Sequence, residues 1–262
     1  MSEEIVIDIR KFKKSFGTKV VHKSIDLQIL RGECIGLFGG SGAGKSVILR
    51  SLIGLEKPDT GEILIGGLDV TKLSERELIP IRKNVAYVFQ GVALFDSMTV
   101  FENLAYPLIE HTNLKPQEIS KKILALLEEF GLSGSENLLP ANLSGGMQKR
   151  AGLARAIILQ PAVVLYDEPT AGLDPYNTKR IQEMILKLKS RGVTSVLVTH
   201  DMPSAFAVCD RIALLLDGCI YAVIPTRELA ELYNLGSAHN EKHKDFDERK
   251  IRLSQFINGE EA

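Results

Sequence analysis

Gly39-Gly40-Ser41-Gly42-Ala43-Gly44-Lys45-Ser46 follows an apolar run at 34–38 and opens onto Val47, Ile48, Leu49, Leu52 and Ile53 at helical spacing. A strand, a glycine-rich turn and a helix are thus written in that order, which is the context the pattern GxxxxGK[ST] requires. Glycines let successive backbone N–H groups converge on one point, and a helix N-terminus adds partial positive charge there. Such a cradle takes phosphate. Lys45 has the reach for β- and γ-phosphates, and the Ser46 hydroxyl suits Mg2+. Read alone, the octapeptide also fits a glycine-rich turn with an incidental lysine.

Outward from this turn, short apolar runs at 5–9, 25–29, 34–38, 62–65 and 85–89 alternate with helical segments, the first at 45–55. That alternation predicts an α/β fold. From 93 to 155 the pattern becomes mostly helical, around 100–110, 116–130 and 148–159, with a polar connector at 131–142. Strand runs resume at 162–166, 195–199 and 212–216, interleaved with a helix whose Ile181, Met184, Ile185 and Leu188 share one face. The expected organisation is a core formed by 1–92 and 156–235, split by a helical insertion at 93–155 and followed by a linker and tail at 236–262.

A chain of 262 residues with 45% hydrophobic content can bury a sizeable core. Its 32 Lys+Arg against 33 Asp+Glu leave a net charge of −1, which argues against a general nucleic-acid binder. Cys34, Cys209 and Cys219 have neither CxxC nor metal-ligand spacing, so they read as buried core thiols in a reduced compartment. The start, Met1-Ser2-Glu3-Glu4, lacks the layout of a signal peptide, and no apolar run approaches the roughly 18 residues of a membrane span. The sequence therefore predicts a cytoplasmic protein that reaches a membrane only through a partner.

Val163-Val164-Leu165-Tyr166-Asp167-Glu168 is an apolar strand ending in two carboxylates, at the carboxyl edge of a parallel sheet beside the cradle. Asp167 is placed to bind Mg2+, and Glu168 to orient and deprotonate an attacking water. Standing alone, the two acids also read as solvated turn residues. Leu143-Ser144-Gly145-Gly146-Met147 precedes the helix at 148–159, and by itself it also reads as a serine N-cap with flexible glycines.

The order of these motifs, with the pentapeptide between cradle and paired acids, resembles that of the ABC ATPases over roughly residues 5–235. The resemblance implies a P-loop NTPase (RecA-like) core with an N-terminal antiparallel β subdomain and an inserted α-helical subdomain. It also implies an ATPase in which two copies, arranged head to tail, sandwich ATP and Mg2+. Ser144, Gly145 and Gly146 then supply donors to the γ-phosphate held by the opposite copy. Gln90, after the run at 85–89, resembles the Q-loop glutamine that senses Mg2+ and water; a solvated strand-end glutamine is the other reading. Asp174 resembles the D-loop aspartate that crosses between copies, which is compatible with capping the helix that Pro175 opens. His200, in Val198-Thr199-His200-Asp201, resembles the switch histidine at the γ-phosphate, and also reads as a capping histidine. Phe16 stands where the family stacks an aromatic on adenine, with Val20 and Val21 as further lining, although a core aromatic there would be unremarkable.

Two departures carry information. Met147 stands where many members have Gln, with Gln148 displaced by one. Together with the stretch from Gln90 through Phe95 to Leu108, this resembles the Mla/Mce branch, whose ATPases energise lipid transport across the cell envelope. That branch implies a dimeric integral membrane permease contacted through residues 91–110, an MCE-domain lipid-binding protein and a STAS-domain partner. The chain would then sit peripherally on the cytoplasmic face of the inner membrane. Two other classes share the ATPase motifs. Repair or assembly ATPases usually carry coiled-coil inserts, duplicated cassettes or basic surfaces, none of which is visible here; a nucleotide-gated scaffold without turnover is opposed by intact Lys45, Asp167, Glu168 and His200. At the end of the chain, the segment 251–259 with Phe256 reads either as a docking tail or as disorder. His239 and His243 read either as metal ligands or as a solvated linker.

Overall fold

The computed structural model describes residues 4–230, so the linker and tail at 236–262, with His239, His243 and Phe256, lie outside the described residues. The chain opens with β1 (Ile5–Phe16), β2 (Lys19–Leu30), β3 (Cys34–Gly39), α1 (Lys45–Leu52), β4 (Thr60–Ile65), β5 (Leu68–Asp69), α2 (Glu75–Asn84) and β6 (Val85–Val88). Three helices follow, α3 (Val100–His111), α4 (Pro116–Glu129) and α5 (Gly145–Ile157). The remainder is β7 (Val163–Asp167), α6 (Pro175–Ser190), β8 (Thr194–Val198), α7 (Met202–Val208), β9 (Arg211–Leu216) and β10 (Cys219–Pro225).

The ten strands form one sheet in the order β5-β4-β1-β2-β10-β9-β3-β8-β7-β6. Five of them, β9, β3, β8, β7 and β6, run parallel. Register across the centre aligns Leu37 with Val198 and Val198 with Asp167. β1 pairs antiparallel with β2 and β4, and this smaller sheet meets the parallel one where Cys219 of β10 pairs with Ser24 of β2.

Parallel strands are covered on both faces, which is why they read as continuous apolar runs rather than as alternations. Along β7, Val163 and Leu165 enter one core with α1 and the antiparallel sheet, whereas Val164 and Tyr166 enter the other with α3 to α7. β9 splits the same way, Ala213 and Leu215 against Ile212 and Leu214.

Several boundaries differ from the sequence reading. β1 and β2 each run 12 residues instead of the five expected, because backbone pairing between them, Lys14 with His22 and Phe16 with Lys19, continues past a bulge where Lys11 of β1 has φ 47°. α1 stops at Leu52, before a turn in which Gly54 has φ 69°. α5 starts at Gly145 rather than Gln148, because the Ser144 side chain accepts from the Met147 amide and caps the helix there. Cys34 and Cys209 are buried and free as expected, while Cys219 is only partly buried.

In the helical layer, Val100, Leu104 and Leu108 of α3 meet Ile119, Ile123 and Leu127 of α4. Asn103, fully buried on α3, pins the preceding loop. Its Oδ1 accepts from Phe95 N at 2.8 Å, and its Nδ2 donates to the Phe95, Met98 and Thr99 carbonyls at 3.1, 3.0 and 3.0 Å. Removing the amide leaves those loop groups without that partner. Asn103→Ala is therefore expected to lower unfolding stability by about 1–3 kcal/mol, read from urea denaturation. A midpoint equal to that of the parent would refute this account of the loop.

Candidate active site

The glycine-rich turn leaves the carboxyl end of β3, where open α/β sheets place their ligands. Gly44 has φ 93°, and a Cβ built there would lie 2.4 Å from Val21 Cγ1, so both conformation and space exclude a side chain. At Gly40 and Gly42 a Cβ meets nothing within 4 Å, which leaves open volume on the ligand side of the turn. No acid stands in the first turn of α1 to oppose an anion. Lys45 Nζ donates to the carbonyls of Gly39 and Gly40 at 2.8 and 3.0 Å. Burial pulls the Lys45 pKa down, while Glu168 and Asp167 act in the opposite direction.

Asp167 ends β7 beside the cradle. Its Oδ1 accepts from Ser46 Oγ at 2.8 Å and its Oδ2 from Tyr87 OH at 2.7 Å. Burial, reinforced by the Asp167 carboxylate, raises the Tyr87 pKa and keeps that phenol a donor. A hydroxyl and a carboxylate are hard oxygen donors that suit Mg2+, which takes one or two carboxylates and completes its shell with phosphates and water. Among the described residues there is no group of three or more His, Cys, Asp or Glu able to enclose a metal.

Glu168 has φ 50°, an uncommon conformation for a residue other than glycine, and its N–H donates to Val198 O at 2.9 Å. The side chain is 15% exposed, and Oε2 lies 3.0 Å from Nδ1 of the exposed His200 just beyond β8. An acid, a histidine, a lysine and the Ser46–Asp167 pair thus stand at the ends of three neighbouring strands.

Gln90 lies exposed just past β6, and its carbonyl accepts from Lys149 Nζ at 2.6 Å. Burial lowers the Lys149 pKa, opposed by Glu168. Two residues on, Val92 and Ala93 have φ 66° and 52°, and a Cβ at Gly152 of α5 would lie 2.8 Å from Val92 Cγ1. The loop after Gln90 is therefore seated in left-handed conformations against α5.

Other expected residues stand apart. Among the described residues no hydrogen bond joins Ser144, Gly145 or Gly146 to residues 39–46. Ser144 and Gly145 are exposed at the start of α5, whereas Gly146 is buried. Asp174 caps α6, its Oδ1 accepting from Asn177 N at 2.9 Å. Phe16 ends β1 44% exposed, with Lys14 Nζ 4.9 Å from its ring centroid. Sequence reasoning missed Tyr87 and Lys149. Tyr87 sits inside an apolar strand run with nothing to mark its hydroxyl, and Lys149 reaches Gln90 only through the packing of α5 beside β6.

A glycine cradle, a hydrogen-bonded Ser46–Asp167 pair and a Glu168–His200 pair at one edge of a parallel sheet define a P-loop nucleotide-binding protein. The family model for the ABC transporter matches residues 22–171, and the chain belongs to that family. It is 42% identical over 212 residues to the "Probable ribonucleotide transport ATP-binding protein mkl" of Mycobacterium leprae, a match covering 80% of this chain and 61% of that protein. It is 39% identical over 218 residues to the intermembrane phospholipid transport system ATP-binding protein MlaF of Escherichia coli K12, covering 83% and 81%. A solved dimeric structure of the ATP-binding cassette MJ0796, in a post-hydrolysis state with ADP and Pi, superposes with a TM-score of 0.78 at 33% identity, covering 84% of this chain and 99% of that one. The chain thus spans about three fifths of the length of mkl and about four fifths of MlaF. Among the described residues no helix is long and apolar enough to cross a membrane.

Proposed function

We propose that this chain is the ATP-hydrolysing subunit of an ABC transporter and that it works as a head-to-tail pair beneath a lipid-moving permease. One observation carries the reading. The cradle, Asp167, Glu168 and His200 gather at one sheet edge, while Ser144 and Gly145 face outward elsewhere on the same chain. A half-built site of this kind is completed by a second copy, and the dimeric state of MJ0796 supports that arrangement.

In this reading Phe16 stacks on adenine, residues 39–46 bind the triphosphate, and Lys45 offsets its β/γ charge. Ser46 and Asp167 hold Mg2+ with Gln90 nearby, and the metal supplies charge stabilisation to the phosphoryl oxygens. Glu168 orients the attacking water and accepts its proton, with His200 holding that carboxylate and reaching the γ-phosphate. Ser144, Gly145 and Gly146 close the site of the opposite copy, and Asp174 crosses beside them. Residues 93–155 act as the helical unit that carries Ser144 toward and away from the partner.

The permease contact is assigned to residues 91–110, where Phe95, Tyr106 and Ile109 are exposed. Relatives of similar identity carry different transported molecules in their names, ribonucleotides for mkl and phospholipids for MlaF. The Met147 signature and the stretch 90–108 favour lipid, with an MCE-domain protein and a STAS-domain protein as further partners on a complex at the cytoplasmic membrane face. Affinity purification of the full chain from its own membranes tests this. An integral membrane permease should co-purify, and the reconstituted complex should couple ATP hydrolysis to movement of labelled phospholipid between vesicles. A complex that moves nucleotides but no phospholipid would overturn the lipid assignment, and a chain isolated without any membrane protein would overturn the transport reading.

A further inference from the structure

Asn177, in the first turn of α6, is used on every side. Its N–H donates to Asp174 Oδ1 at 2.9 Å and its Nδ2 donates to Asp174 Oδ2 at 2.6 Å. Its Oδ1 accepts from Arg150 Nη1 of α5 at 3.0 Å. The same amide lies against the backbone of Gly146: a Cβ built there would stand 2.2 Å from Oδ1 and 2.3 Å from Cγ. A Cβ at Gly146 would therefore push this amide off its bonds to Asp174 and Arg150.

We infer that Asn177 is a positioning residue that locks the D-loop aspartate, Asp174, to the signature end of α5, so that Asp174, Ser144 and Gly145 meet the second copy as one rigid surface. The inference rests on the paired-copy reading above. Its chemistry selects an amide, because one end must accept from a guanidinium while the other donates to a carboxylate. Aspartate at this position would still accept from Arg150 but would set a second negative charge against Asp174. Alanine would leave Arg150 without its acceptor, and burial already lowers the pKa of that arginine, with Arg180 adding to the effect. Arg150 Nε is itself buried without a partner, so Asn177 is the side chain that satisfies this guanidinium across the gap between α5 and α6.

The test uses the full chain carrying Glu168→Gln, which on the present reading associates on binding MgATP. Sedimentation with MgATP then compares this parent with Asn177→Ala and Asn177→Asp, alongside nucleotide affinity from a fluorescent ATP analogue and melting temperature. We expect both substitutions to weaken ATP-dependent association at least tenfold while nucleotide affinity of the single chain stays within about twofold. Exchanging the pair, Asp174→Asn with Asn177→Asp, restores donor opposite acceptor and keeps a good N-cap; because Asp174 itself meets the second copy, recovery is judged against both single substitutions, and the exchanged pair should associate more tightly than either Asp174→Asn or Asn177→Asp alone. Association equal to the parent in Asn177→Ala, or no recovery in the exchanged pair, would overturn the inference. Should Asn177→Ala fail to fold, the comparison of the exchanged pair with its two single substitutions decides alone. A parent that stays single with MgATP would fail the paired-copy reading itself, and the positioning role would fall with it.

Discussion

Glu168→Gln is expected to bind MgATP like the parent protein and to lose turnover by roughly 10²–10⁴-fold, the value of a positioned general base. Glutamine matches glutamate in size and keeps an oxygen for the hydrogen bond to His200, now 3.0 Å from Oε2, but it cannot take a proton from water. The contacts assigned to nucleotide, made by residues 39–46 and Asp167, are untouched. ATP therefore stays on the enzyme, and two copies accumulate in the closed state because the step that reopens them is blocked. Phosphate release in the presence of the membrane partner, together with size-exclusion chromatography in MgATP, reads both halves of the result. Turnover near that of the parent would remove Glu168 from the role of base.

Lys45→Ala should fail at an earlier step. The ammonium is held by the Gly39 and Gly40 carbonyls at 2.8 and 3.0 Å, inside the curve of the cradle and partly withdrawn from water. Removing it deletes the one positive side chain of the turn and two bonds that hold the turn's shape. A charged hydrogen bond is worth about 1.5–3 kcal/mol, so MgATP affinity should fall roughly 10–100-fold, measured by titration calorimetry on the nucleotide-free chain. The two substitutions must separate: binding lost in one and kept in the other. Equal loss of nucleotide affinity in both would contradict the division between gripping and chemistry.

Much of this architecture was readable because burial and composition coincide. β3, β7, β8 and β9 are covered on both faces, so their apolar runs stand out, and Gly39 to Ser46 declares itself through glycines that only a tight cradle demands. Reading failed where a rule of local composition was overruled by packing. Gly145 and Gly146 look like a flexible connector, yet a single serine cap starts a helix through them, and Gly146 is spent against Asn177. Lys-rich residues of β1 hide a long strand because past Phe12 it is backbone pairing with β2, not buried side chains, that continues it. α2 escaped because Pro80 lies inside it, where proline ordinarily signals a break. Tyr87 and Lys149 owe their places to neighbours distant in sequence, Asp167 and Gln90, which no periodicity reveals. The same holds for the left-handed Glu168, Val92 and Ala93, residue types that seldom advertise positive φ.

The alignment of Leu37, Val198 and Asp167 across three parallel strands makes strand length a gauge. Side chains alternate between faces, so one residue added within β7 would put Tyr166 where Asp167 now ends the strand, and one deleted would put Glu168 there. Loops beyond the sheet edge are under no such ruler. A residue inserted in a connection or in the helical layer is accordingly expected to leave the reactive ends of the central strands where they are, whereas one inserted within β3, β7 or β8 is not.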